Sequence, residues 1–279
     1  MTPIKSLAAF AVILTVAVAG CSRAAHGPRR PAEPTTPSAS TADDERHAII
    51  QERHALLMLA ALSHAYAGLD QPLGHDISAV LAWNVNDTKS TPEFVINRNR
   101  NNEKQGDVYH AEVNALHSAY EKRREYNVPP LATATERRAL FDGRLSTATI
   151  YTTLEPCPMC TTTITMAKVP QAVFCMDDPG LRDSVAHETK IPVPTSFYGR
   201  RLDVVRSDLS ACTLANQAMW RAATAAGPKF NVTAFLATNG RTVFVPAWKE
   251  LACWELGHTE NETLLRELRR ATGVPDCTK

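Results

Sequence analysis

Two short segments hold side chains that can do chemistry together: Tyr109-His110-Ala111-Glu112 and Glu155-Pro156-Cys157-Pro158-Met159-Cys160. They offer one imidazole and two thiolates, donors that suit zinc. Three protein ligands on a tetrahedral ion leave a fourth position for water, which is the catalytic arrangement. A structural site would want a fourth ligand, and the sequence has no second C-x-x-C or His pair to supply it. Glu112 stands two residues after His110. Alone, it would read as a surface charge at a helix start. Beside a metal-activated water it can take a proton and pass it to a leaving amine. A redox reading of the C-x-x-C explains neither His110 nor Glu112.

These side chains need elements to hold them. Asp43 and Asp44 can cap a helix running to about Gly68, with Ile50, Leu57, Ala61 and His64 near one face. Strands are expected at Ile77–Trp83 and Phe94–Ile96, with Asn86 and Asp87 in the turn between them. A helix follows from His110 to about Tyr126, then a strand over Ala148–Leu154. Pro156 opens the next helix, because proline is tolerated in a first turn. His110, Cys157 and Cys160 thus all lie at helix starts, where the dipole and free N–H groups favour thiolates. Strands at Gln171–Cys175 and Leu202–Val205 and a helix from Ser207 or Asp208 to Ala226 complete the order α-β-β-α-β-α-β-β-α. That alternation indicates a layered α/β domain with helices on a central sheet. Residues 127–146, with Pro129-Pro130, separate the two motifs. Residues 228–279 read as a hairpin turning at Asn239-Gly240, then an amphipathic helix capped near Thr259.

Taken together, His110-x-Glu112 and Pro156-Cys157-x-x-Cys160 resemble the signature of zinc-dependent nucleobase deaminases. Over about residues 45–226 the chain is similar to the cytidine/deoxycytidylate deaminase superfamily. The run Thr153-Leu154-Glu155-Pro156-Cys157-Pro158-Met159-Cys160 resembles its tRNA adenosine deaminase and guanine deaminase branch. The resemblance implies a three-layer α-β-α fold with a central mixed sheet. It implies zinc on His110, Cys157 and Cys160, and Glu112 as the proton carrier. It also implies a base-contacting asparagine about eleven residues before the zinc histidine, which falls on Asn99, with Asn97 and Asn101 as neighbouring registers. Asn114 instead resembles the deoxycytidylate and riboflavin-pathway deaminases, so the two hints differ on substrate. Family members often build sites across subunits, which implies a homodimer; Trp248 and Trp254 could serve such an interface, but tryptophan is more often core. The 47 positions from His110 to Cys157 exceed the usual gap in the tRNA-editing branch, and residues 228–279 have no recognised counterpart.

The start of the chain adds a location. Lys5 precedes an uncharged apolar run from Ser6 to Ala19, too short to span a bilayer, and Val18-Ala19-Gly20-Cys21 closes it. This resembles the lipobox of bacterial lipoproteins, which implies cleavage after residue 20 and acylation of Cys21, with palmitate-type chains giving durable membrane attachment. Residues 21–43, with Pro28, Pro31, Pro34 and Pro37, read as a disordered tether. The resulting domains are 1–20, 21–43, 44–226 and 227–279. Export permits disulfides among Cys175, Cys212, Cys253 and Cys277. Sequence does not dictate the pairing, though Cys253–Cys277 is preferred and Cys175 reads as a buried free thiol.

The 30 Lys+Arg against 29 Asp+Glu give a net charge of +1, with none of the basic excess expected of a protein that grips long nucleic acid. Intact tRNA is therefore disfavoured, and a small base or nucleoside is the expected substrate of a hydrolytic deaminase. The alternatives are an exported deaminase of polymeric nucleic acid, and a non-catalytic binding protein on the same scaffold.

Overall fold

A computed structural model describes residues 39–125, 145–179 and 202–277, with Thr133, Thr135 and Gly143 as isolated positions. The expected signal segment, most of the tether and most of residues 127–146 lie outside the described residues. The described elements are α1 (Ala39–Ala67), β1 (Ser78–Trp83), β2 (Glu93–Arg98), a one-turn α2 (Asn101–Lys104), α3 (Ala111–Glu125), β3 (Thr149–Leu154), α4 (Pro158–Met166), β4 (Gln171–Met176), β5 (Asp203–Arg206), α5 (Ser210–Ala226), α6 (Val232–Ala252) and α7 (Glu262–Thr272). Helix α1 begins inside the segment expected as tether. Pro37 is the last proline, and beyond it no residue bars a helix. Among the described residues, no helix is long and apolar enough to cross a membrane.

The five strands form one mixed sheet in the order β2-β1-β3-β4-β5. β1 is antiparallel to both β2 and β3, whereas β3, β4 and β5 run parallel. Strands β1 and β3 are buried at every position, as central strands covered on both faces must be. Tyr151 of β3 turns to α1, where its hydroxyl meets His54 Nδ1 at 2.6 Å. Thr152, one residue on, turns to the opposite face and to Glu112 of α3. The expected α/β architecture with a central mixed sheet is therefore present, and the strand bounds fall within two residues of the expected ones.

The C-terminal segment departs from expectation. Residues 232–252 form helix α6, with no hairpin at Asn239-Gly240. Phe235, Leu236, Gly240, Val243, Phe244, Ala247, Leu251 and Ala252 are its buried positions, a helical spacing that packs on α1 and α5. Gly240 serves close packing: a Cβ there would lie 2.8 Å from Leu69 Cδ2. Asn239 donates to Phe235 O at 3.0 Å, one helical turn back, so the Asn-Gly pair forms no turn. Tertiary burial of a 3.6-residue stripe overrides the local turn signal. α7 is amphipathic as expected, burying Leu264, Leu265 and Leu268.

As a result α1 is enclosed. It packs against the sheet on one side and against α6 and α7 on the other. Leu56 to Ser63 are buried without a break. Arg53, fully buried, joins the layers: its Nε donates to Asn261 Oδ1 at 2.7 Å, and its Nη1 to Val85 O and Asp87 O at 3.2 and 2.8 Å.

Two disulfides are present among the described residues. Cys253–Cys277 joins the end of α6 to the segment after α7, the pairing preferred from sequence. Cys175 is bonded to Cys212, which corrects the expectation of a free thiol. Its side chain faces away from the α3 and α4 side of β4 and meets the first turn of α5, a partner far along the chain.

Candidate active site

The β3-α4-β4 unit creates the site. β3 ends at Leu154, and Glu155-Pro156-Cys157 turn the chain into α4, with Cys157 at the N-cap and Pro158 in the first turn. α3 packs beside α4, and its start lies against the same strand ends. The carboxyl ends of strands thus face two helix N-termini, a setting that favours anionic donors.

His110, Cys157 and Cys160 come together there, with their donor atoms all within 4.8 Å of one another. His110 Nδ1 lies 3.6 Å from Cys157 Sγ and 3.4 Å from Cys160 Sγ. Tetrahedral zinc with its usual Zn–N and Zn–S bonds places such donors about 3.4–3.8 Å apart. The donor set therefore fits zinc in type and spacing. Among the described residues no fourth His, Cys, Asp or Glu joins the group. Cys157 is held down to about 4 by the hydrogen bond from Cys160 and then by His110, while Cys160 is pushed up by the same bond and by its burial. His110 is raised, chiefly by its bond to Cys157.

Glu112 lies on the first turn of α3, only 4% exposed. Burial is the largest influence on its carboxyl and pushes it upward. Its Oε1 faces Thr152 Oγ1 at 3.5 Å. It is beside the metal-type cluster without being one of its members.

Asn99 is fully buried in the loop after β2. Its Oδ1 accepts a hydrogen bond from Ala111 N at 2.6 Å, capping the start of α3. Its Nδ2 has no partner among the described residues, a buried donor left over. Neither neighbouring register matches this. Asn97 donates to Ser118, and in Asn101 the buried atom without a partner is the acceptor Oδ1, not a donor. Asn114, which sequence offered only as a substrate hint, uses its Nδ2 on two backbone carbonyls.

Sequence reading missed Asp107, whose charge raises His110, and His75, which burial and the His110 charge together push down. Sequence gives no sign of this proximity, because His75 lies on the loop before β1 and Asp107 on the loop after α2. Trp248 and Trp254 are partly buried against the core, as expected of tryptophan. A cleft of about 910 Å³ lies elsewhere, between Asn84, Asp87, Thr149, Gln171 and Asp203. It contains no His or Cys, so donor chemistry points to the His–Cys–Cys site.

A curated relative, the tRNA-specific adenosine deaminase of Bacillus subtilis strain 168, is 48% identical over 42 residues, 15% of this chain and 26% of its own length. The match thus spans about a quarter of that relative. A solved structure from studies of A-to-I editing by tRNA:A34 deaminases is 22% identical, covers 56% of this chain and 99% of its own, and superposes with a TM-score of 0.37. Guanine deaminase from Nitrosomonas europaea is 18% identical over 65% of this chain and 85% of its own, with a TM-score of 0.32. Residues 51–176, which contain His110, Glu112, Cys157 and Cys160, match the family described as the cytidine and deoxycytidylate deaminase zinc-binding region.

Proposed function

We propose that this protein is a zinc-dependent hydrolytic deaminase of a free nucleobase, nucleoside or nucleotide. The observation that carries the reading is Glu112, buried beside a three-donor cluster without being part of it. His110, Cys157 and Cys160 would hold the metal. When bound there, zinc supplies Lewis-acid activation of a water at neutral pH. Glu112 accepts the proton of the attacking water and delivers it to the substrate. The C–O bond forms at the amidine carbon, the C–N bond to the amino group breaks, and ammonia leaves. The unpartnered Nδ2 of Asn99 would donate to the base. The net charge of +1 favours a small substrate over a polymer.

The test is an ammonia-release screen across bases, nucleosides and nucleotides with the zinc-loaded domain. At least one compound should be turned over, and Glu112→Ala should abolish release while zinc stays bound. Full activity in Glu112→Ala would overturn the mechanism. Turnover of single-stranded nucleic acid alone, with steep salt dependence, would shift the substrate to a polymer.

We further propose that the chain is acylated at Cys21 and acts outside the cytoplasm. The lipobox-like run before Cys21 supports this, as do two disulfides of the kind that persist in oxidising compartments. Labelled palmitate should enter the full chain and be absent from Cys21→Ser. Equal labelling of both would refute acylation at this position.

A further inference from the structure

Asn114 is buried on the first turn of α3 and makes a bridge that no motif announces. Its Nδ2 donates to Arg98 O at 2.8 Å and to Tyr109 O at 3.0 Å. Arg98 is the residue before Asn99, and Tyr109 is the residue before His110. Both amide hydrogens are used, one at each end of the loop that separates the two site residues. The backbone closes the same loop, since Arg100 N donates to Tyr109 O at 2.9 Å; Asn114 N donates to His110 O at 2.9 Å as the first helical bond of α3. The far side is also packed. A Cβ on Gly74 would lie 2.9 Å from both Asn99 O and Asn101 N. The Arg98 side chain is held by Asp76 at 3.1 Å and lies against Gly68, where a Cβ would run into its guanidinium.

We propose that Asn114 is a positioning residue, which sets the spacing between the donor amide of Asn99 and the imidazole of His110. It touches neither substrate nor metal. The inference rests on the deaminase reading above and deepens it: Asn114 would govern how a base is aligned with the metal-side chemistry. Displacing a contact by about 1 Å can cost a hundredfold in rate, so a residue of this kind should act strongly on turnover and weakly on metal content.

The experiment is a double-mutant cycle on the zinc-loaded protein with Asn99→Ala, Asn114→Ala and the pair, measuring zinc content, Tm, kcat and KM for a substrate that the wild type turns over. Asn114→Ala should keep about one zinc per chain. Its kcat/KM should fall roughly tenfold to a hundredfold, with a rise in KM. The pair should be no worse than Asn99→Ala by more than about threefold, because Asn114 acts through Asn99. Fully additive losses, or a kcat/KM in Asn114→Ala within about twofold of wild type, a change no larger than distant independent sites show, would overturn the proposal. If neither Asn114→Ala nor Asn114→Ser yields folded, zinc-loaded protein, Asn114 is a stability residue and the proposal falls. A wild type that releases ammonia from no compound would remove the deaminase reading itself, an outcome distinct from these.

Discussion

Asn99 Oδ1 and the Ala111 amide are joined by a hydrogen bond of 2.6 Å, so the residue offered as the base contact is also the cap of the helix that follows His110. The two atoms of one amide group have different tasks. Asn99→Asp should keep the cap and lose the donor: Tm near wild type, kcat/KM down at least tenfold. Asn99→Ala should lose both and cost about 1 kcal/mol of stability besides. Thermal melts beside steady-state kinetics test the split. Equal kinetics in wild type and Asn99→Asp would exclude the Nδ2 donor from substrate binding.

Metal retention and turnover should separate by residue. His110→Ala, Cys157→Ala and Cys160→Ala each remove one of the three donors and should bring zinc well below one per chain. A chelator should lower the Tm of the wild type, and added zinc should restore it, because binding to the folded state alone stabilises it. Metal analysis beside differential scanning fluorimetry reads both effects.

Arg53 joins α1 to the loop after β1 and to the turn before α7. Arg53→Ala would leave Asn261 Oδ1 and two carbonyls short of a charged donor. The expected loss is roughly 3 kcal/mol or more, measured by urea unfolding. The surviving folded fraction should keep its kcat, because none of these partners touches the His–Cys–Cys cluster.

His64 should make the fold sensitive to acid. Its imidazole is pushed down to about 4, chiefly by burial and then by Arg98, and its Nδ1 lies 2.9 Å from Ser78 Oγ. Between about 6.5 and about 4 the unfolded chain binds this proton and the folded one does not. Stability should therefore fall as pH drops through that window, by up to about 3 kcal/mol. His64→Gln should flatten the profile. An unchanged slope in urea midpoints from pH 6.5 to pH 4 would reject the assignment.

The site was legible because its parts are local in sequence. His110 with Glu112, and Cys157 with Cys160, each lie within one turn of a helix start, so spacing alone places them. Asn114 was not legible in the same way, since its partners are backbone carbonyls that every residue carries. The sheet followed from alternation and β-branched runs. The C-terminal segment misled, because Asn239-Gly240 is a strong hairpin signal and Val232, Thr242 and Val243 favour strands. The corrective evidence was in α1. Leu56-Leu57-Met58-Leu59-Ala60-Ala61-Leu62 is apolar all round, and a helix of that kind needs cover on both sides. Reading only one face of α1 hid the need for α6 and α7. Cys175 misled for a related reason: its partner Cys212 stands on a distant helix, and pairing is a tertiary fact.

The wedging of α1 between the sheet and α6 decides where the protein can be cut. A truncation after Ala226 follows the sequence motifs and leaves the metal-type cluster intact on paper. It would bare the outer side of Leu56–Ser63 and strand Arg53 without Asn261. Such a fragment should precipitate or bind chaperones. Trimming a biosensor, or grafting a heterologous partner onto this protein, should therefore treat residues 39–277 as one indivisible block.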